Sequence, residues 1–112
     1  MIEEIIQNYL RENAFPCYLS VPEKPSGNFC ILEKTGDSPD EGIYTATLAA
    51  QSSGSRTSDY AAAQLSHRVM QTMLDADTLP EIVSCTLNTD YNFPDTTRKL
   101  PRYQAVFEVV HY

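Results

Sequence analysis

The chain has 112 residues and a formal net charge of −7, which predicts one acidic domain over residues 1–112. A surface of this sign repels phosphate backbones and anionic lipid headgroups, so we expect no sequence-specific nucleic-acid partner and no membrane partner. The three cysteines are Cys17, Cys30 and Cys85. Their odd number and wide spacing argue against a disulfide framework or a zinc knuckle, and predict buried thiols in a reducing compartment.

The first predicted element is an amphipathic helix over residues 2–13, because isoleucine and leucine recur at helical spacing up to Leu10. Two glutamates in its first turn suit the positive end of the helix dipole, and Pro16 requires the helix to end before it. The proline-rich stretch at 16–28 predicts an extended loop with room for a short strand at 17–21.

A β-hairpin is predicted next, because residues 28–34 and 42–51 both alternate around a stretch rich in turn residues at 35–42. The segment at 59–76 contains no glycine or proline and places apolar side chains such as Val69 at helical spacing. It predicts a second helix, whose alanine-rich start permits close packing on a sheet.

Two further strands are predicted at 81–89 and 103–112, separated by a polar segment at 89–102. The order is therefore helix, hairpin, helix, hairpin. This order predicts an α+β fold in which two helices pack on one face of a four-stranded, mainly antiparallel sheet.

Several polar groups have no spacing typical of a metal, catalytic or phosphate site, so none of them is predicted to be a site. They are His67, His111, the carboxylates Asp90 and Asp95, the acidic run Asp37, Asp40 and Glu41, and the glycine-containing loop at 51–56. We therefore expect no catalytic residue, no metal and no cofactor.

The polar segment at 89–102 is much longer than a hairpin turn requires, which favours a functional role. Tyr91 and Phe93 place aromatic surface on it, and Arg98, Lys99 and Arg102 concentrate positive charge in an acidic chain. One interpretation is a projecting arm that docks on an acidic surface of a neighbouring copy. The alternatives are an Ω-loop packed on its own aromatic side chains and a solvated hairpin rim.

Four segments resemble a known protein family. They are IEEIIQNYL, GIYTATLAAQ, SDYAAAQLSHRVMQTM and DTTRKLPRYQAVFEVVHY. Together they are similar to the tail terminator or tail-completion proteins of long-tailed bacteriophages, a group that includes minor capsid and head–tail joining proteins. The resemblance spans essentially the whole chain, although none of the segments is diagnostic alone.

The resemblance implies a structural virion protein that is not an enzyme. It implies a homo-oligomeric ring, commonly a hexamer, that caps the tail tube and joins it to the head connector. The location implied is the tail or neck of the virion, and the bacterial host cytoplasm during assembly. The residues expected at the interface with a neighbouring subunit or the tube are Asp90, Tyr91, Phe93, Arg98, Lys99 and Arg102. The alternative function is a small ligand-binding or enzyme-like α+β domain with a pocket between helices and sheet.

Overall fold

The computed structural model of the protein describes residues 2–20, 27–40, 42–54, 59–94, 96 and 100–112. The elements, in chain order, are α1 (Ile2–Glu12), β1 (Cys17–Tyr18), β2 (Phe29–Asp40), β3 (Ile43–Ser53), α2 (Asp59–Met73), a short 3-10 helix (Ala76–Thr78), β4 (Ile82–Asn92) and β5 (Arg102–His111). The predicted α+β class is confirmed.

Within these described ranges the sheet has five strands in the order β1-β2-β3-β5-β4, and the prediction of four strands is wrong. The additional strand, β1, pairs in parallel with the start of β2, whereas the other pairings are antiparallel. The Cys30 amide donates to the Pro16 carbonyl over 2.9 Å, which fixes the approach of β1 to the sheet. The short strand anticipated at 17–21 is present as β1, although it covers only Cys17 and Tyr18.

Both helices pack on one face of the sheet, as predicted. A hydrophobic core joins buried side chains of both helices to alternate residues of β2, β3 and β5. It includes Ile2, Ile6, Leu10, Cys30, Leu32, Ala46, Leu48, Ala50, Leu65, Val69, Met73, Ala105, Phe107 and Val109. The helical and strand periodicities read from the sequence therefore identify the buried faces correctly.

Helix α1 ends in a Schellman motif. The Phe15 amide donates to the Leu10 carbonyl and the Ala14 amide to the Arg11 carbonyl, both over 3.0 Å. Ala14 adopts a φ of 68°, the left-handed conformation that this motif requires and that glycine usually supplies. The buried side chains of Leu10 and Phe15 complete the cap and return the chain to the core.

The hairpin formed by β2 and β3 is longer than predicted. The turn expected at 35–42 is wrong, because β2 continues to Asp40 in register with β3. A β-bulge between Lys34 and Gly36 accommodates the extra residue, and the chain reverses only near Gly42, whose φ is 89°. Pairing with a long neighbouring strand outweighs the local turn preference of these residues.

Strand β4 is irregular as well as longer than predicted. One bulge between Ile82 and Ser84 brings both Ile82 and Cys85 into the core and leaves Val83 43% exposed. A second bulge lies between Leu87 and Thr89. The strict alternation predicted for this strand is therefore wrong over its first half, because a bulge shifts every following side chain to the other face.

The two hairpins close at opposite ends of the sheet. Tyr44 of β3 pairs with His111 of β5 near the β2–β3 turn, whereas Ser53 pairs with Arg102 at the other end, where β4 and β5 are connected. The molecule measures 46 × 24 × 24 Å along its principal axes. A surface formed by one hairpin end is therefore remote from the surface formed by the other.

Candidate functional site

The candidate site lies where β4 leaves the sheet and β5 enters it. The predicted arm at 89–102 is shorter than expected, because Asp90, Tyr91 and Asn92 belong to β4 and Arg102 begins β5. The connection comprises residues 93–101. Of the predicted interface residues, Arg98 and Lys99 lie outside the part of the chain that the structure describes.

Tyr91, Phe93 and Arg102 form a compact group that we call the aromatic–arginine cluster. The ring centroids of Tyr91 and Phe93 are 5.7 Å apart with the planes tilted by 56°. The Arg102 guanidinium carbon lies 4.5 Å from the centroid of the Phe93 ring. A cation at this distance over an aromatic face is attracted by the ring quadrupole, so the cluster is held together by its own contacts.

Backbone and side-chain hydrogen bonds fix the same three residues. The Phe93 amide donates to the Arg102 carbonyl and the Arg102 Nε donates to the Phe93 carbonyl, both over 2.8 Å. These bonds extend the ladder of β4 and β5 beyond its last paired residues. The Arg102 side chain is consequently oriented before any partner arrives.

A row of hydrogen-bonded polar side chains holds the Tyr91 hydroxyl in place. Gln51, Gln104 and Tyr91 are neighbours across β3, β5 and β4. Gln51 Nε2 donates to Gln104 Oε1 over 2.7 Å, and Gln104 Nε2 donates to the Tyr91 hydroxyl. No local sequence pattern predicts this row, because the residues become neighbours only through the register of three strands.

The cluster lies on the sheet face that is opposite the helices. Gln51 follows core residue Ala50, and Gln104 precedes core residue Ala105, so alternation places both glutamines away from the core. Tyr91 and Phe93 remain 43% and 40% exposed. The rings are thus fixed in position and still accessible to a partner.

Asp90 does not join this group. It is exposed and pairs with core residue Ala105, which places it on the helix-side face of β4. The structure therefore brings together Tyr91, Phe93 and Arg102 among the predicted interface residues, and separates Asp90 from them.

A second polar group lies at the other end of the sheet. His111 stacks on Tyr44 with centroids 5.5 Å apart, and its Nε2 lies 4.0 Å from Asp37 Oδ1. Lys34 Nζ lies 3.5 Å from Asp37 Oδ2 and 3.8 Å from Glu3 Oε1. Ion pairs of this partly exposed kind contribute little to stability. The sequence missed this group because Asp37 was predicted to lie in a turn.

The remaining candidates do not assemble into a site. His67 is exposed on α2, as predicted. Glu41, Asp95 and residues 55–58 of the glycine-containing loop lie outside the described residues, and of Asp40 only the backbone is described. Within the described ranges, no group of three or more histidine, cysteine or carboxylate side chains has the arrangement of a metal site.

Two shallow grooves flank α1. One of about 240 Å³ is lined by Glu3, Leu19, Leu32, Glu33 and Lys34. The other, of about 230 Å³, is lined by Ile5, Asn8, Tyr9, Glu12, Leu79 and Glu81. Both fall below the roughly 300–1,000 Å³ that small-molecule pockets occupy.

The structure is an α+β fold whose sheet carries the aromatic–arginine cluster at one end. No model of a known protein family matches the chain, and no curated protein is significantly similar to it. In the described portion of the chain, no helix has the length and apolar character needed to cross a membrane.

Proposed function

We propose that this protein is a structural assembly protein that binds neighbouring protein subunits through the aromatic–arginine cluster. The observation that carries the proposal is the placement of Tyr91, Phe93 and Arg102, held rigidly at one end of an elongated molecule with both rings exposed. Aromatic side chains and arginine are enriched at the centres of protein interfaces.

Preorganisation supports this role. Association usually costs about 0.5–1.5 kcal/mol for each long side chain that must be immobilised. Here Arg102 is already bonded to the Phe93 carbonyl and stacked on its ring, and the Tyr91 hydroxyl already accepts a hydrogen bond from Gln104. Less conformational entropy is therefore lost when a partner covers the cluster.

Charge supports a second copy of the chain as a partner. The formal net charge is −7, so a positively charged group on one copy meets a mostly acidic surface on another. Asp37, an exposed carboxylate that also contacts Lys34, lies on β2 towards the hairpin turn at the opposite end. Contacts between unlike ends of identical subunits generate a closed ring when the rotation closes.

The resemblance to phage tail terminator and tail-completion proteins gives this proposal its biological setting. In that setting the chain forms a ring, commonly hexameric, that caps the tail tube and contacts the tail tube protein and the head–tail connector. It functions in the tail or neck of the virion after assembly in the bacterial host cytoplasm. The acidic charge is consistent with protein partners in place of nucleic acid.

Charge reversal at Arg102 tests the proposal. Arg102→Glu removes the cation over Phe93 and reverses the charge at the cluster, so we expect assembly to weaken by at least tenfold in apparent Kd. The matched control is Arg68→Glu, because Arg68 also lies over an aromatic ring, 5.4 Å from the centroid of Phe15, but on α2. Both variants change the net charge equally, and sedimentation velocity or mass photometry measures the association.

A broader variant, with Arg98, Lys99 and Arg102 all changed to Glu, tests the complete basic group. We expect it to abolish assembly while leaving the circular dichroism spectrum unchanged, because charge substitutions in and beside a connection between strands usually change stability little. Unaltered self-association in both variants, or a wild-type protein that stays monomeric at high concentration and does not bind tail tubes, would contradict the proposal.

A further inference from the structure

Two of the cysteines face each other across the edge of the sheet. Cys17 of β1 and Cys30 of β2 are direct partners in the parallel register. Both side chains are 0% exposed and belong to the same hydrophobic core, so both point to the helix side of the sheet. Neighbouring strands are about 4.7–4.9 Å apart, which lies within the range of roughly 4.4–6.8 Å that disulfide-bonded Cα atoms span.

The two thiols also have complementary acidity. The Cys30 thiol donates a hydrogen bond to the Cys17 sulfur, and this bond, with help from the nearby Arg11 charge, lowers the pKa of Cys17 despite its burial. The same bond and complete burial raise the pKa of Cys30. Arg11 is held in place by a 2.9 Å bond from its Nε to the Cys17 carbonyl. Cys17 is thus the better nucleophile and Cys30 the proton-bearing partner.

We propose that Cys17 and Cys30 form a reversible disulfide that covalently joins β1 to β2. The oxidant is a small-molecule disulfide. The Cys17 thiolate attacks one of its sulfurs and releases the first thiolate, giving a mixed disulfide on Cys17. Cys30 then loses its proton, attacks the Cys17 sulfur and releases the second thiolate. Two protein thiols are oxidised, and one small disulfide is reduced to two thiols. The proposal does not depend on the assembly function.

Access to the buried pair requires a local opening, and β1 is suited to one. It has two residues and two paired positions at the edge of the sheet. Short edge elements with few contacts open at a much lower free energy than the whole fold. Opening of β1 exposes Cys17, and closing returns it to Cys30.

Cys85 provides an internal control. It lies on β4, at the opposite edge of the sheet from β1. Burial, with a smaller contribution from Asp77, raises the pKa of its thiol to about 12. A thiol this weakly acidic is scarcely ionised at neutral pH, and neither of the other two cysteines is its neighbour in the sheet.

The test uses the full wild-type chain incubated with oxidised glutathione, then denatured and alkylated. We expect the alkylated thiols per chain to fall from three to one, and peptide mapping to join Cys17 to Cys30 with Cys85 alkylated. The bond closes the loop at 17–30, so we also expect Tm to rise by roughly 10–20 °C and to return after dithiothreitol.

Variants make the outcome specific. Cys85→Ala keeps the cross-link, whereas Cys17→Ala and Cys30→Ala lose it. Because these last two variants alter the core, the wild-type peptide map remains the decisive measurement. Three alkylated thiols after oxidation, a stable glutathione adduct on Cys17, or a cross-link that contains Cys85 would each overturn the proposal.

Discussion

Burial of a single thiol links the stability of this fold to alkaline pH. The Cys85 side chain is 8% exposed, and its pKa is raised from 9.0 to about 12, mainly by burial and secondarily by Asp77. In the unfolded chain this thiol ionises near its ordinary pKa. The unfolded state therefore releases a proton that the folded state retains, and the stabilising contribution is complete below pH 9 and is lost as pH rises toward 12.

We expect the free energy of unfolding to fall by about 1 kcal/mol between pH 8 and 10 because of Cys85, following the linkage between proton release and stability. Urea unfolding at the two pH values measures this change. Cys85→Ala is less stable at both, since it leaves a small cavity, but we expect it to lose less stability on raising the pH. An equal pH dependence in the two proteins would show that Cys85 is not the group responsible.

Some residues at this end of the sheet could be identified from the sequence and others could not. Tyr91, Phe93 and Arg102 were identified from the sequence because aromatic and basic side chains are unusual in a polar stretch between strands. Gln51 and Gln104 were not identified. Glutamines on strands carry no local signal, and these two meet only through the register of β3 with β5.

At the scale of elements, the end of α1 depends on a conformation that its sequence does not favour. Ala14 has a φ of 68°, and a residue with a Cβ atom is disfavoured there by about 1–2 kcal/mol. The motif persists because Leu10 and Phe15 are buried on either side of it. Tertiary packing therefore determines a local backbone geometry.

Ala14→Gly should relieve this strain, and we expect it to stabilise the protein by up to about 1 kcal/mol, after allowance for the greater freedom of glycine in the unfolded chain. The matched control is Ala63→Gly inside α2, where the same change should destabilise by about 0.5–1 kcal/mol. Chemical denaturation of both variants distinguishes the two backbone conformations. If both substitutions were destabilising by similar amounts, the strain at Ala14 would be absent.

The elements that the sequence predicted well are those whose signal is local. The helices and β5 have strong periodicity, and each is present at nearly its predicted bounds. The errors concern the length of β1, the extension of β2 to Asp40 and the bulges of β4. Each of these depends on backbone pairing with a neighbouring strand, which propensity and alternation within one segment could not indicate.

At the scale of the whole molecule, the fold separates its hairpin ends along a 46 Å axis. The β4–β5 end carries the aromatic–arginine cluster, and Asp37 lies on β2 towards the β2–β3 end. The lengths of the strands between the two hairpin ends determine the distance between those ends. Folding depends on the core, whereas the proposed assembly depends on the ends.

Shortening the β4–β5 connection tests this division. Replacing residues 94–101 by Asn-Gly joins Phe93 to Arg102 through a turn suited to a hairpin. The backbones of these two residues are already bonded over 2.8 Å. We expect Tm to change little, because the shorter loop costs less entropy to close while the bond from the Gly54 amide to the Pro101 carbonyl is lost. Assembly should weaken if residues 94–101 contribute to the contact.

The control for this variant is the same Asn-Gly dipeptide inserted after Gly42, at the other hairpin end. It should leave folding intact and, if the contact is between unlike ends, weaken assembly as well. Loss of folding in the shortened variant would show that the connection belongs to the core. Full assembly by both variants would show that neither end is needed.

The bulges at the two margins of the sheet have a consequence for the behaviour of the protein in concentrated solution. Amyloid-like growth requires an uninterrupted row of backbone amides and carbonyls to which a strand of another molecule can hydrogen-bond. Bulges interrupt the row once in β2 and twice in β4, so an added strand loses hydrogen-bond register after a few residues. Interruptions of this kind disfavour edge-to-edge aggregation of folded molecules.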